Sequence, residues 1–534
     1  MNGSIMRYMT LFAAIVLACF TSACGGGGGT ISSAPAPPPA SGPYSASTLN
    51  GTYAFVMSGQ DGGGFFARIG SFAANGAGGI TGGVLDLSSG IVPGVATVTI
   101  TSGTYSIGTN GLGTVNLIDS ANETVGLSIV MTSTTAGLIT ETDGNATASG
   151  NFTAQDTTTF AGLPNNLTGP YVFDISGLDP NGAAESLVGQ FTANGAGGVT
   201  AGVVDVNDDF TASGQLAVTG TFSADTTYGP SFGRGTAAFI INGTTVNFSF
   251  YTVGVGRIRM LRTNYPATSL GDAVAQTGTI PTATSGLSGG FAFILAGSNL
   301  VGEDVRAGRV SLSGGTASNV ELDDDNDSAS GSGNSNHTAI PEGTISAASY
   351  TIDPSGDGRG TLTFTDSSAG VFSFIFYLIS PTQAVIQDVS TGNTTGPIVT
   401  SDGSMQMQTG NPFTTAGEAG NWGFNWSGES VNNSTGSFGE EDFVGQYTQT
   451  SAGSISGGVD FTELSANSVV TGGAFSGTMT VAGDGTLRNT YSITLATSPA
   501  ATLNFAAYLV DANTMFVVGV DTHRTITGSI LRNY

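Results

Sequence analysis

The chain has 534 residues, 83 of them glycine, with 38 Asp plus Glu against 12 Lys plus Arg and a formal net charge of −26. All twelve basic residues are arginine, so lysine chemistry such as a Schiff base is excluded, and the acidic balance excludes nucleic-acid binding through phosphate neutralisation. Abundant glycine without runs of helix formers argues against a helical protein, and 39% hydrophobic residues with only 9% charged argue against disorder.

The N-terminus reads as an export signal. Arg7 precedes an apolar stretch over 9–20, shorter than the about 20 residues that span a bilayer. Thr21-Ser22-Ala23 then leads to Cys24. This resembles the lipobox of bacterial lipoproteins, with Thr21 where Leu is usual. The resemblance implies cleavage after a signal peptide of 1–23 and diacylation (palmitate) of Cys24. Gly25 at the next position implies passage to the outer membrane, so the expected location is the cell envelope, lipid-anchored. Val16-Leu17-Ala18-Cys19 is a rival site, and an ordinary secretory signal is the alternative reading. Gly25 to Gly29 and the Ser/Ala/Pro-rich residues after them make 24–47 a flexible tether. Cys19 and Cys24 are the only cysteines, so the mature fold contains no disulfide.

Internal repetition follows. Gly70-Ser71-Phe72-Ala73-Ala74-Asn75-Gly76-Ala77-Gly78-Gly79 returns as Gly189-Gln190-Phe191-Thr192-Ala193-Asn194-Gly195-Ala196-Gly197-Gly198, and a worn version begins at Gly445-Gln446-Tyr447. The third copy, around Gly308-Arg309-Val310, diverges most. Each unit opens on alternating aromatics: Tyr53 and Phe55, Tyr171 and Phe173, Phe291 and Phe293, Trp422 and Phe424. That alternation is a strand with both rings on one face. The domains expected are repeats at 48–157, 162–278, 284–402 and 413–534.

In the first copy the pattern predicts strands near 51–58, 67–74, 79–87, 95–107, 113–119, 124–132, 136–142 and 148–154. Asn110-Gly111 and Asp357-Gly358 read as type I′ hairpin turns. A later strand is strongly apolar, at 246–253, 371–379 and 503–510. The fold class expected is all-β: four tandem antiparallel domains of about eight strands, each a barrel-like meander, with immunoglobulin-like sandwiches as the alternative. Closure is favoured because lysine, the usual guard of open sheet edges, is absent. The opening Gly-x-aromatic strand resembles that of lipocalins and avidins, which implies a ligand-holding interior. The repeat period is domain-sized, so four beads on a string are expected.

Candidate chemistry is sparse. His337 falls in a Ser/Gly/Asn-rich stretch expected to be a loop, and His523 follows Asp521; a zinc site of the usual composition cannot be assembled. Gly229-Pro230-Ser231-Phe232-Gly233 matches the Gly-x-Ser-x-Gly pattern of hydrolases but sits between two strands rather than before a helix. Asp323, Asp325 and Asp327, with Asp205, Asn207 and Asp209 at the matching place in the second copy, put oxygen ligands at alternate positions as calcium loops do; the competing reading is a solvated acidic loop. Trp422 and Trp426 share one strand face and suit core packing or a cleft lining. Scaffold motifs repeat and reactive residues do not. The expected function is therefore a non-enzymatic envelope lipoprotein acting in surface binding, adhesion or structure, with an unknown surface ligand or protein partner. The alternatives are small-ligand binding inside the barrels and, third, a hydrolase using Ser231 or His523.

Overall fold

The computed structural model describes residues 44–90, 92–327, 335–390, 397–410, 413–431, 438–464, 468–482, 487–496 and 501–533. The signal, most of the tether and Cys24 lie outside them. The chain forms four antiparallel β-barrels at 50–154, 168–275, 289–407 and 420–532. The first has strands Asn50–Asp61, Gly64–Asn75, Gly79–Ser89, Val92–Ile107, Leu112–Asp119, Thr124–Met131, Ala136–Glu141 and Ala146–Ala154, and its first and last strands pair to close it. The barrel reading therefore holds over the sandwich. In the third barrel the fourth strand is split into Ser335–Ile340 and Ile345–Ile352 by a 3₁₀ turn, Glu342–Thr344, and both pieces pair with Thr316–Asp327. That barrel's last strand, Val399–Met407, runs past the expected boundary at 402.

The repeated sequence motif is a turn and a packing site. Asn75 Oδ1 accepts from the backbone N–H groups of Ala77 and Gly79 at 2.8 and 2.9 Å, and Asn194 does the same for Ala196 and Gly198. The glycine at the motif's start lies under the second aromatic of the first strand. A Cβ on Gly70 would stand 2.7 Å from the Phe55 ring, and one on Gly445 2.3 Å from that of Phe424. Asn110-Gly111 differs from expectation: only Gly111 has positive φ, so the connection is a longer loop closed by Gly108 N–H to Leu112 O. A two-residue turn with both φ positive occurs instead at Asn242-Gly243.

The barrel interiors are filled. Tyr53, Phe55, Phe72 and Phe152 pack together in the first, and Phe173, Phe191, Phe222 and Phe239 in the second. Trp422, Phe424 and Trp426 all point inward in the fourth, with Phe424 and Trp426 stacked at 3.9 Å. One end of each barrel is closed by an inward arginine–carboxylate group: Arg68 with Glu141 at 2.7 Å, Arg262 with Glu185, Arg306 with Asp304, Asp324 and Asp388, and Arg524 with Glu441 at 2.8 Å. The ligand-holding interior implied by the lipocalin-like start is thus corrected; side chains occupy the space.

The string of beads is corrected as well. Each barrel lays its first three strands against the last three strands of the next, and the fourth barrel does so against the first, so the chain closes into a ring. The physical reason is apolar surface outside the barrels. Ala54, Val56, Ile69 and Val84 of barrel 1 meet Tyr251, Leu261 and Leu270 of barrel 2; Ile294 and Val305 of barrel 3 meet Tyr508 and Phe516 of barrel 4. A head-to-tail contact whose rotation closes makes a ring rather than a filament. After each last strand an amide side chain latches the following barrel. Gln155 Nε2 donates to Thr252 O at 2.6 Å, Gln276 to Leu378 O at 2.7 Å and Gln408 to Leu509 O at 2.6 Å. Asn533 Nδ2 completes the circle on Asn110 O of barrel 1 at 3.0 Å.

Gly445→Ala is expected to destabilise the protein by about 1–3 kcal/mol through overpacking against Phe424. Gly256→Ala, exposed and with nothing within 4 Å of its Cβ, is the control expected to change little. Thermal unfolding of both variants checks this.

Candidate functional site

The densest polar chemistry lies between barrels, and it repeats. On the third strand of barrels 1, 2 and 3 stands a buried aspartate: Asp86, Asp205 and Asp323. Each receives a two-pronged arginine from the next barrel. Arg234 Nε and Nη2 donate to Asp86 at 2.9 Å each, Arg359 to Asp205 at 2.8 and 2.9 Å, and Arg488 to Asp323 at 2.6 and 2.8 Å. A tyrosine opposite the arginine in register completes the group: Tyr377 Oη donates to Asp205 and Tyr508 Oη to Asp323, both at 2.6 Å, while Tyr251 stands beside Asp86. Burial acts to raise the Asp323 carboxyl, but hydrogen bonds from Arg488, His337 and Tyr508 bring it down to about 2. Paired forks of this kind fix geometry as well as charge.

This accounts for the acidic segments. They are strands, Gly198–Asp208 and Thr316–Asp327, not loops. Asp205 and Asp323 are taken by arginine. The side-chain amide of Asn207 donates across the junction to Asp388 O and Val399 O at 2.9 and 2.8 Å, and Asp209 is exposed. Asp325 is buried, with its carboxyl pushed well up by burial and neighbouring acids, and Asp327 accepts from Thr525 Oγ1 of barrel 4 at 2.8 Å. Among the described residues no group of three or more His, Cys, Asp or Glu is arranged to hold a metal ion.

His337 is on a strand, not in a loop. Its Nε2 lies 2.8 Å from Asp323 Oδ1, so it belongs to the third junction. His523 is exposed in a turn, its N–H donating to Asp521. Ser231 is exposed on the short helical turn Gly229–Phe232 of barrel 2, whereas His523 is in barrel 4. The structure thus does not bring Ser231 and His523 onto one barrel.

Of the twelve arginines only Arg7 lies outside the described residues. Four close barrel ends and three bridge junctions as above. Arg259 donates to Asn151 and Thr153 across the first junction, at 2.7 and 3.1 Å; Arg257 pairs with Asp272 and Arg309 with Glu321. Arg532 stacks on Trp422 with its guanidinium carbon 4.7 Å from the ring centroid. The cationic side chains are thereby spent on structure. The outer wall is different. Away from the junctions, the fourth to sixth strands carry many outward Thr, Ser and Asn residues, beside exposed apolar ones such as Ile240 and Val469. Grooves lie at equivalent places in barrels 2 and 4. One in barrel 4, about 360 Å³, is lined by Thr478, Thr480, Thr490, Ser492 and Asn504; one in barrel 2, about 300 Å³, by Thr221, Ser223, Thr236 and Asn247. No charged group lines either.

Sequence reasoning missed the junction groups. Their signal is positional: an arginine at the start of the fifth strand and a tyrosine paired with it on the sixth, at the same place in three copies and replaced by Leu112 and Val130 in the first.

No family model matches the chain, and neither does any of the curated proteins. Among solved structures it is similar to intact Ap-TbpB with its N and C lobes, at 10% identity over 74% of this chain and 84% of that one, with a TM-score of 0.18. It is similar also to a double mutant of the vaccine antigen transferrin binding protein B from Haemophilus parasuis Hp5, at 8% identity over 74% and 83%, with a TM-score of 0.20. Scores of this size leave function to the chain's own geometry.

Two outcomes are expected. Arg359→Ala leaves Asp205 buried without its cation and lowers stability by about 3–5 kcal/mol in calorimetry. EDTA leaves the melting temperature unchanged, because arginine occupies the two carboxylates at the heart of the acidic segments; a calcium-dependent rise would show otherwise.

Proposed function

We propose that this chain is a non-enzymatic envelope protein, tethered through lipid on Cys24, whose ring binds a partner at the cell surface with its outer wall. The observation that carries this reading is the distribution of polar groups. Arginines and many carboxylates are turned into barrel ends and junctions, the interiors are filled, and the outer wall offers uncharged hydroxyls and carboxamides in two equivalent grooves. Two like sites on one body raise effective concentration for an extended partner. Tyr44 is already buried against barrel 1, so the tether expected from the Gly/Ser/Ala/Pro-rich sequence is 24–43, with a reach of roughly 22–27 Å that would hold the ring clear of lipid headgroups. Outer-membrane placement rests on the lipobox resemblance.

The anchor is tested by Cys24→Ser, which should move the protein from the membrane to the soluble fraction; continued palmitate incorporation would reassign the anchor. The outer wall is tested by Thr490→Glu together with Thr236→Glu, one in each groove. Binding of the labelled chain to intact cells should fall about tenfold or more as two sites are lost, with stability changed by no more than about 0.5 kcal/mol per site. Undiminished binding would place the contact elsewhere.

A further inference from the structure

The four junctions are not equal. Three are tied by an Asp–Arg–Tyr group and by the linker that continues the chain. The fourth, where barrel 4 meets barrel 1, has neither. Barrel 1 carries Leu112 and Val130 where the others carry arginine and tyrosine, and Asp460, the counterpart of Asp86, Asp205 and Asp323, accepts from the N–H of Gly472 in its own barrel. The apolar contact there is small: Val444 against Val130 and Leu138, flanked by Leu112 and Leu531.

This seam holds buried acids instead. Glu440 and Asp442, on Phe438–Gln449, are 0% exposed and Glu429, on Gly420–Val431, is 5% exposed. Gln60 of barrel 1 reaches across, its Nε2 donating to Glu429 at 3.2 Å and Glu440 at 3.4 Å. Ser427 Oγ donates to Glu440 at 3.3 Å, both carboxyl oxygens of Asp442 are buried without a hydrogen-bond partner, and Glu429 lies beside Asp327 of barrel 3. Carboxyls buried side by side with no cation between them disfavour each other's ionised form. The other charged groups facing the cluster are Glu141 and Arg68 of barrel 1 and Glu441, Glu463 and Arg524 of barrel 4. Both arginines are already held, by Glu141 and Glu441.

We propose that the seam between barrels 4 and 1 is a proton-dependent joint, closed while Glu429, Glu440 and Asp442 retain protons and opened when they ionise. The inference stands on the ring geometry and is independent of the binding role above. Burial first, and neighbouring acids second, raise Glu429 and Glu440 well above the ordinary carboxylate range; burial also raises Asp442. Glu141 and Glu441 are pushed up by burial to about 7 even with their arginines in place. A carboxyl raised in the closed state stabilises it at low pH, and that contribution is lost as pH climbs through the raised value. Barrels 2 and 3 also share a carboxyl pair, Asp174 with Asp402, but their junction keeps Arg359, Asp205, Tyr377 and the linker.

The test is energy transfer between dyes on Thr134→Cys of barrel 1 and Ala512→Cys of barrel 4, both exposed sites, in the full chain with Cys19→Ser and Cys24→Ser. Transfer should be high at about pH 5.5 and fall at about pH 8.5, while emission from the buried Trp422 and Trp426 stays unchanged. Glu440→Gln with Asp442→Asn should keep transfer high at both values. Leu112→Arg with Val130→Tyr, which offers Asp460 the missing partner, should do the same and decides the matter if the amide variant does not fold. Transfer independent of pH, a fall accompanied by tryptophan exposure, or an unaltered pH response in the variants would overturn the proposal.

Discussion

The structure depends on covering the outside of each barrel. A closed antiparallel barrel satisfies its own backbone and buries its inward side chains, leaving an outer surface that is ordinarily wet. Here many of the outward residues facing a neighbouring barrel are apolar too, most extensively at the first three junctions. Tyr377 and Ile379 are as buried as their inward neighbours Phe376 and Leu378, because barrel 2 lies on them. Each such side chain contributes about 1.5–3 kcal/mol when removed from water. A single barrel has two such patches, complementary to each other and not to themselves, so only a head-to-tail series covers them. Four copies bring the last patch back to the first.

Electrostatics follows from that geometry. A chain with 38 acids and 12 arginines cannot pair every carboxylate. Seven of the eleven described arginines pair buried acids at barrel ends and at three junctions. Removing either partner of such a pair is expensive, although the pair itself adds little net stability over an apolar contact. Their value is register: the forked Arg359–Asp205 contact with Tyr377 fixes how one barrel sits on the next. At the seam, where Leu112 replaces the arginine, apolar contact and protonated carboxyls take over, and the ring has one joint unlike the others.

The sequence revealed the barrels well and the ring poorly. All eight strands of the first copy lie within a few residues of their expected positions, because aromatic and β-branched alternation is local and the turn motifs repeat. The glycine motif at Gly70 was legible as a repeat, but its cause, the Phe55 ring lying across the glycine, required the fold. Asp205 and Asp323 looked like calcium ligands because alternate acids along a strand and along a metal loop read alike. Their partners Arg359 and Arg488 are separated from them by more than a barrel of sequence, and no local spacing announces them. One signal was present: the sixth strands carry consecutive apolar residues, Phe250-Tyr251, Phe374 to Ile379 and Phe505 to Val510, which marks a strand buried on both faces there.

The central claim is that barrel 4 docks on barrel 1. Small-angle scattering of the full chain in mildly acidic buffer tests it most directly. A closed ring should give a radius of gyration near the roughly 24 Å of a compact body of this length. A value well above about 30 Å would describe four barrels strung out in a line and would contradict the ring.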